Sequence, residues 1–135
     1  MLVYATATDL ADWTGSAAPS NAVQLLRTAS GLVADATVTA WYATDASGMP
    51  TTSYVVDAMR DATCAHAAAM AAAKVDPLAA GANTARTASR KKVGTAEVEY
   101  ADAAQAAAAR AALVDTLCPD AVRILRAAGL TSSVL

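Results

Sequence analysis

Chemistry needs titratable groups that converge, and this chain of 135 residues offers few of them. Its single histidine, His66, lies in an alanine-rich run, four residues from both Ala62 and Met70. One imidazole does not make a common metal site unless the fold brings carboxylates to it. The pattern reads instead as a helix-face histidine satisfied by a neighbour or by solvent. Asp57 and Asp61 are four apart and share a helix face. Arg60 beside them points to a structural charge cluster. Cys64 and Cys118 are isolated, with no Cys-x-x-Cys and no histidine at ligand spacing, and they read as two free, buried thiols in a reducing compartment. No dinucleotide-binding glycine motif, phosphate loop, G-x-S-x-G or H-E-x-x-H is present. The expectation is a protein that is not an enzyme, with no catalytic residue, no cofactor and no metal.

One basic cluster stands out: Arg90, Lys91 and Lys92, with Arg86 upstream. Such a run can contact phosphate. The pI of about 5.1 and net charge of −2 do not give the strongly basic face of a dedicated nucleic-acid binder. No aromatic residue interleaves the cations, so base stacking is not indicated. A solvated loop or a contact with an acidic partner fits better. The alternative is a small helical nucleic-acid-binding or regulatory protein using segment 86–92, which salt-dependent binding to duplex DNA would reveal.

The elements that would position these residues are helices, and the stretch they lean on is 52–74. It contains no Gly or Pro. Thr52 or Ser53 can cap its start, Asp57 falls near the positive end of its dipole and Lys74 near the negative end, and Asp76-Pro77 stops it. Tyr54, Val55, Val56, Met59 and Met70 are its large apolar groups, and alanine fills the rest. Alanine favours the helix but buries little area, so neighbours can approach closely on several sides. The stretch reads as the central post of a small helical domain.

Before it, TDLADWTG predicts a short helix over 8–14, with Thr8 as cap, Leu10 and Trp13 on one face and Gly15 at the end. A second helix over about 20–38 follows from Ala22, Leu25, Leu26, Ala29, Leu32, Val33 and Ala36, with Ser20 or Asn21 as cap. Arg27, Ser30 and Asp35 lie off that stripe, on a face that is wet or meets a partner. Residues 44–50 (TDASGMP) form a loop. Residues 75–92 carry no helical stripe. Ala96, Val98 and Tyr100 then alternate with Glu97 and Glu99, a strand pattern. Gly94-Thr95 is either the turn of a hairpin or a bulge in one strand, which makes 86–100 a projecting arm. Helices over 102–117 and 119–128 follow, the second with Pro119 in its first turn and Gly129 at its C-cap. The fold class is therefore mainly α: one domain over 1–135, a bundle of about five helices with a β-hairpin or extended arm between the third and fourth, and a tail over 130–135.

Of the 135 residues, 39 are Ala, and Leu, Ile and Val together number only 24, with no Phe. That is a thin core, and a small domain with few large side chains gains stability by burial against neighbours. Oligomerisation is expected on that ground alone. The longest apolar run, Ala67 to Ala73, is far shorter than the ~20 residues of a spanning helix. The start, MLVYATATDL, lacks the basic and hydrophobic regions of a signal peptide. Neither a membrane segment nor export is expected.

Four stretches taken in order, YATATDLADWTG, NAVQLLRTASGLVADAT, KKVGTAEVEYAD and LCPDAVRILRAAGL, resemble the head-to-tail adaptor (head completion, or connector) proteins of long-tailed bacteriophages, particularly those infecting actinobacteria. The resemblance covers nearly the whole chain. It implies a small helical virion protein, made in the host cytoplasm and located in the neck. Usually twelve copies form a ring under the portal, extend its channel and dock the stopper or the next neck or tail protein. Genomic DNA would pass through the lumen without sequence-specific binding. By the same resemblance, the tail Leu130, Thr131, Ser132, Ser133, Val134 and Leu135 engages the portal. Arg86, Arg90, Lys91, Lys92, Val93, Val98 and Tyr100, in the arm, contact a neighbouring subunit or the next ring.

Overall fold

The computed structural model describes residues 2–75, 108 and 110–131, and these are mainly helical. Four helices are bounded within them: α1 (Ala7–Thr14), α2 (Ala22–Ala36), α3 (Ser53–Ala72) and α4 (Pro119–Ala127). Residues 110–115 are also helical. The arm over 86–100 and residues 132–135 lie outside the described residues. No strand is formed among the described residues. The one extended pairing is an isolated antiparallel bridge between Thr44 and Pro50.

α3 is the hub, packing against α1, α2 and α4. It serves two apolar clusters from two faces. Val55, Ala58, Met59, Ala62 and Ala65 meet Tyr4, Val33, Cys118, Ala121, Leu125 and Leu130. Cys64, Ala67 and Met70 meet Ala5, Leu10, Leu25, Leu26, Ala29 and Val75. A helix apolar on more than one side is buried in its middle, and every residue from Ala62 to Ala67 is buried. Alanine makes this possible, because small side chains let several neighbours close on one post.

The helix ends carry the local chemistry. The cap of α1 lies two residues earlier than the expected Thr8. Thr6 is the N-cap, and its hydroxyl accepts from the Asp9 N–H (3.2 Å) while the Asp9 carboxylate accepts from the Thr6 N–H (2.9 Å). This capping box outcompetes Thr8 because only Thr6 has an acid at N3. Gly15 turns left-handed at φ 78° and closes the helix, its N–H donating to the Ala11 carbonyl.

α3 and α4 end alike. Beyond α3, the Val75 N–H donates to the Met70 carbonyl and the Lys74 N–H to that of Ala71. Beyond α4, the Leu130 N–H donates to the Leu125 carbonyl and the Gly129 N–H to that of Arg126. Both are Schellman motifs, in which the residue after the left-handed position folds back onto the helix. Val75 and Leu130 are thereby buried. Lys74 is therefore not a cation in the last turn of α3, as the sequence suggests, but the left-handed residue beyond it, at φ 60°. A non-glycine residue there costs about 1 kcal/mol. Lys74→Gly is expected to raise the urea midpoint by the equivalent of roughly 0.5–1 kcal/mol. An unchanged or lower midpoint would contradict that backbone geometry.

Two further expectations are corrected. Ser30 does not face water or a partner. It is fully buried, and its hydroxyl accepts from the Tyr4 N–H at 3.1 Å, tying the extended N-terminal segment to α2. Leu10 enters the core as expected, but Trp13 remains at the surface. Residues three apart on a helix differ by about 60° around its axis, enough to put one inside and one on the rim.

The loop before α3 is organised by Asp45. Its carboxylate accepts from the Ser47 N–H (2.8 Å), the Ser47 hydroxyl (2.7 Å) and the Met49 N–H (3.1 Å). The Ser47 hydroxyl and backbone hold the Asp45 carboxyl below its ordinary pKa. The Asp45 N–H to Met49 carbonyl bond closes the turn, with Gly48 at φ 94°.

Candidate functional site

His66 joins the hub to the C-terminal part of the chain. It is fully buried, and both ring nitrogens are used. The Cys118 N–H donates to Nδ1 at 3.0 Å, so Nδ1 carries no proton. The proton is then on Nε2, which donates to the Leu113 carbonyl at 2.7 Å. Burial holds the imidazole below its ordinary pKa, and the Leu113 carbonyl partly opposes that shift. A neutral ring with both nitrogens committed to backbone is a structural staple between α3 and residues 113–118. The expected satisfied histidine is found, and its partners are backbone groups 47 and 52 residues away.

Arg60 forms the expected charge cluster, bridging Asp57 at 3.2 Å and Asp61 at 3.0 Å. These are surface pairs of small energetic value. Cys64 and Cys118 are both free and buried. Burial, with the charges of Asp9 and Asp61 adding, pushes the Cys64 thiol up to about 11. Among the described residues no group of three or more His, Cys, Asp or Glu is placed to hold a metal ion. No helix among them is long and apolar enough to cross a membrane.

Two features of the surface are suited to recognition. The first is apolar. Trp41 is 97% exposed and Val38 79%, both on the link between α2 and α3, and Tyr54 and Val23 are each more than half exposed. The second is a cleft of about 270 Å³ between α1 and α3, lined by Asp9, Asp12, Trp13, Arg60, Asp61 and Cys64. Trp13 also lines an adjoining hollow of about 420 Å³, with Ala65, Ala68 and Ala69 of α3 and with Pro119 and Asp120 at the start of α4. Asp120 pairs with Arg123 at 2.7 Å.

Of the residues the sequence nominates as contacts, Arg86, Arg90, Lys91, Lys92, Val93, Val98 and Tyr100 lie outside the described residues, as do Ser132, Ser133, Val134 and Leu135. Leu130 is a core residue, 3% exposed, held by the Schellman turn. Thr131 is half-buried beside it. Sequence reasoning passed over Trp41 and the cleft. Trp41 follows the end of the α2 stripe, which was its only available signal. Asp9 and Asp12 of α1 meet Asp61 of α3 only through the fold. No protein-family model, curated protein or solved structure matches this chain.

Proposed function

We propose that this protein is a structural subunit of a phage neck: a head-to-tail adaptor that forms a ring under the portal, connects capsid to tail and extends the DNA channel. The role is non-enzymatic and needs no cofactor. In this reading the bundle has about five helices, and segment 86–100 is an arm projecting between the third and the fourth. Its partners are copies of itself, the portal and the next neck protein.

The observation that supports it best is the mismatch between core and surface. The chain has only 24 Leu, Ile and Val residues. Even so, it leaves Trp41, Val38, Val23 and Tyr54 largely in water while alanines fill the interior. Each such side chain gains about 1.5–3 kcal/mol when it is buried. Isolated exposed apolar residues are ordinary. Four large ones on a domain short of them suit a subunit that completes its burial against neighbours. Leu130 itself is not available to the portal. Because it is anchored in the core, the portal-engaging segment begins after it, with Val134 and Leu135 as its apolar groups.

The test is electron-microscope class averaging of the protein alone and mixed with the portal ring of the same genome. A new rotationally symmetric layer on the narrow end of the portal is expected. A protein that stays monomeric and adds no layer would remove the adaptor reading.

A further inference from the structure

The cleft beside Trp13 carries an excess of carboxylates. Asp9, Asp12 and Asp61 line it against a single guanidinium, Arg60, which is already engaged by Asp57 and Asp61. Asp12 is exposed and makes no ion pair or hydrogen bond with a described residue. Trp13, 44% exposed, stands where the two hollows adjoin. An indole face next to carboxylates holds a guanidinium or ammonium by cation–π attraction together with ion pairing. The second hollow is walled by the methyl groups of Ala65, Ala68 and Ala69, which leave room for an extended backbone to lie along α3.

The chain itself carries a segment of matching charge. Between Asp76 and Glu97 there is no acidic residue, and the four cations Arg86, Arg90, Lys91 and Lys92 fall within that interval. We propose, on the footing of the ring reading, that the Trp13 cleft is the socket for the basic segment 86–92 of a second copy of this chain. Each subunit then gives its segment to one neighbour and receives that of the other. Such a contact joins two different patches of the same molecule, the head-to-tail type of interface from which rings are built when the rotation between subunits closes. Surface charge pairs are screened by salt, so assembly weakens as ionic strength rises.

The test compares wild type, the double variant Asp12→Lys, Asp61→Lys, and the triple variant Arg90→Glu, Lys91→Glu, Lys92→Glu by sedimentation velocity at low salt, with circular dichroism to establish that each is folded. Where assembly needs the portal ring, the same proteins are scored for a layer upon it. Each variant alone is expected to self-associate ~10-fold more weakly than wild type. An equimolar mixture of the two is expected to regain assembly, because each reversed segment then meets a reversed cleft in another chain. Variants that assemble as well as wild type would overturn the socket while leaving the ring reading intact. Weakened variants that the mixture does not rescue would also overturn it, placing the segment within its own chain or on another partner. A wild type that never self-associates, alone or on the portal, would remove socket and ring together.

Discussion

Replacing His66 by alanine is expected to destabilise the protein by about 3–5 kcal/mol, from the cavity and from stranded backbone groups. The imidazole is fully buried, so its removal leaves a void in a region walled by α3 and residues 113–118. It also leaves the Leu113 carbonyl and the Cys118 N–H without their partner. Each buried polar group left unsatisfied costs about 1–3 kcal/mol. For a domain of this size such a loss is a large share of the total stability. A drop below about 1 kcal/mol in denaturant unfolding would mean that water replaces the ring without cost.

The same staple fixes a pH dependence. The ordinary histidine pKa is 6.5, and burial lowers it in the folded state. Below 6.5 the unfolded chain takes up a proton that the native ring refuses, so stability falls as pH drops from 6.5 towards the folded pKa. The limiting slope is about 1.4 kcal/mol per pH unit. His66→Ala is expected to abolish this component between neutral pH and about pH 5, where most carboxylates remain ionised. A wild-type urea midpoint that is flat over that window would overturn the assignment of Nδ1 as an acceptor.

The hub was legible in the sequence because its signal is local. A long run without Gly or Pro, rich in alanine, specifies a helix wherever it sits, and α3 follows. Pro119 at the start of α4 and Gly129 beyond its end carry their own backbone preferences and are found in those roles. Errors arose where the deciding partner is distant in the chain. Ser30 reads as polar and off the stripe, and nothing in its neighbourhood announces that the Tyr4 N–H, 26 residues away, needs an acceptor. His66 reads as one polar residue among alanines, and its two backbone partners are set by how the C-terminal part packs on α3. Leu130 is the exception: its partner Leu125 is only five residues away, and Gly129 as the C-cap already implies a turn that folds the next residue back onto the helix. The cleft is least legible of all. Its carboxylates come from α1 and α3, and periodicity records which face a residue occupies but not which other face it will meet.

Leu125→Ala is expected to cost about 2–5 kcal/mol, and Leu130→Ala nearly as much. Leu125 is fully buried and Leu130 is 3% exposed, and both lie in the cluster built on Val55, Met59 and Ala62 of α3. The Leu130 N–H to Leu125 carbonyl bond, 2.9 Å, locks the turn that presents Leu130 to that cluster. The two residues therefore act as one unit. Their double variant is expected to fall short of the sum of the single effects by at least ~0.5 kcal/mol. The outcome also decides what the end of the chain can do. With Leu130 in the core, Leu130→Ala lowers stability before it affects any docking. If Leu130 were instead a portal contact, Leu130→Ala would leave the unfolding midpoint of the free protein unchanged and weaken only the layer on the portal. Urea unfolding of the free protein, followed by scoring of the portal layer at a temperature where the variant is still folded, separates the two roles. An effect confined to the layer would return Leu130 to the tail and place the boundary between core and docking segment one residue earlier.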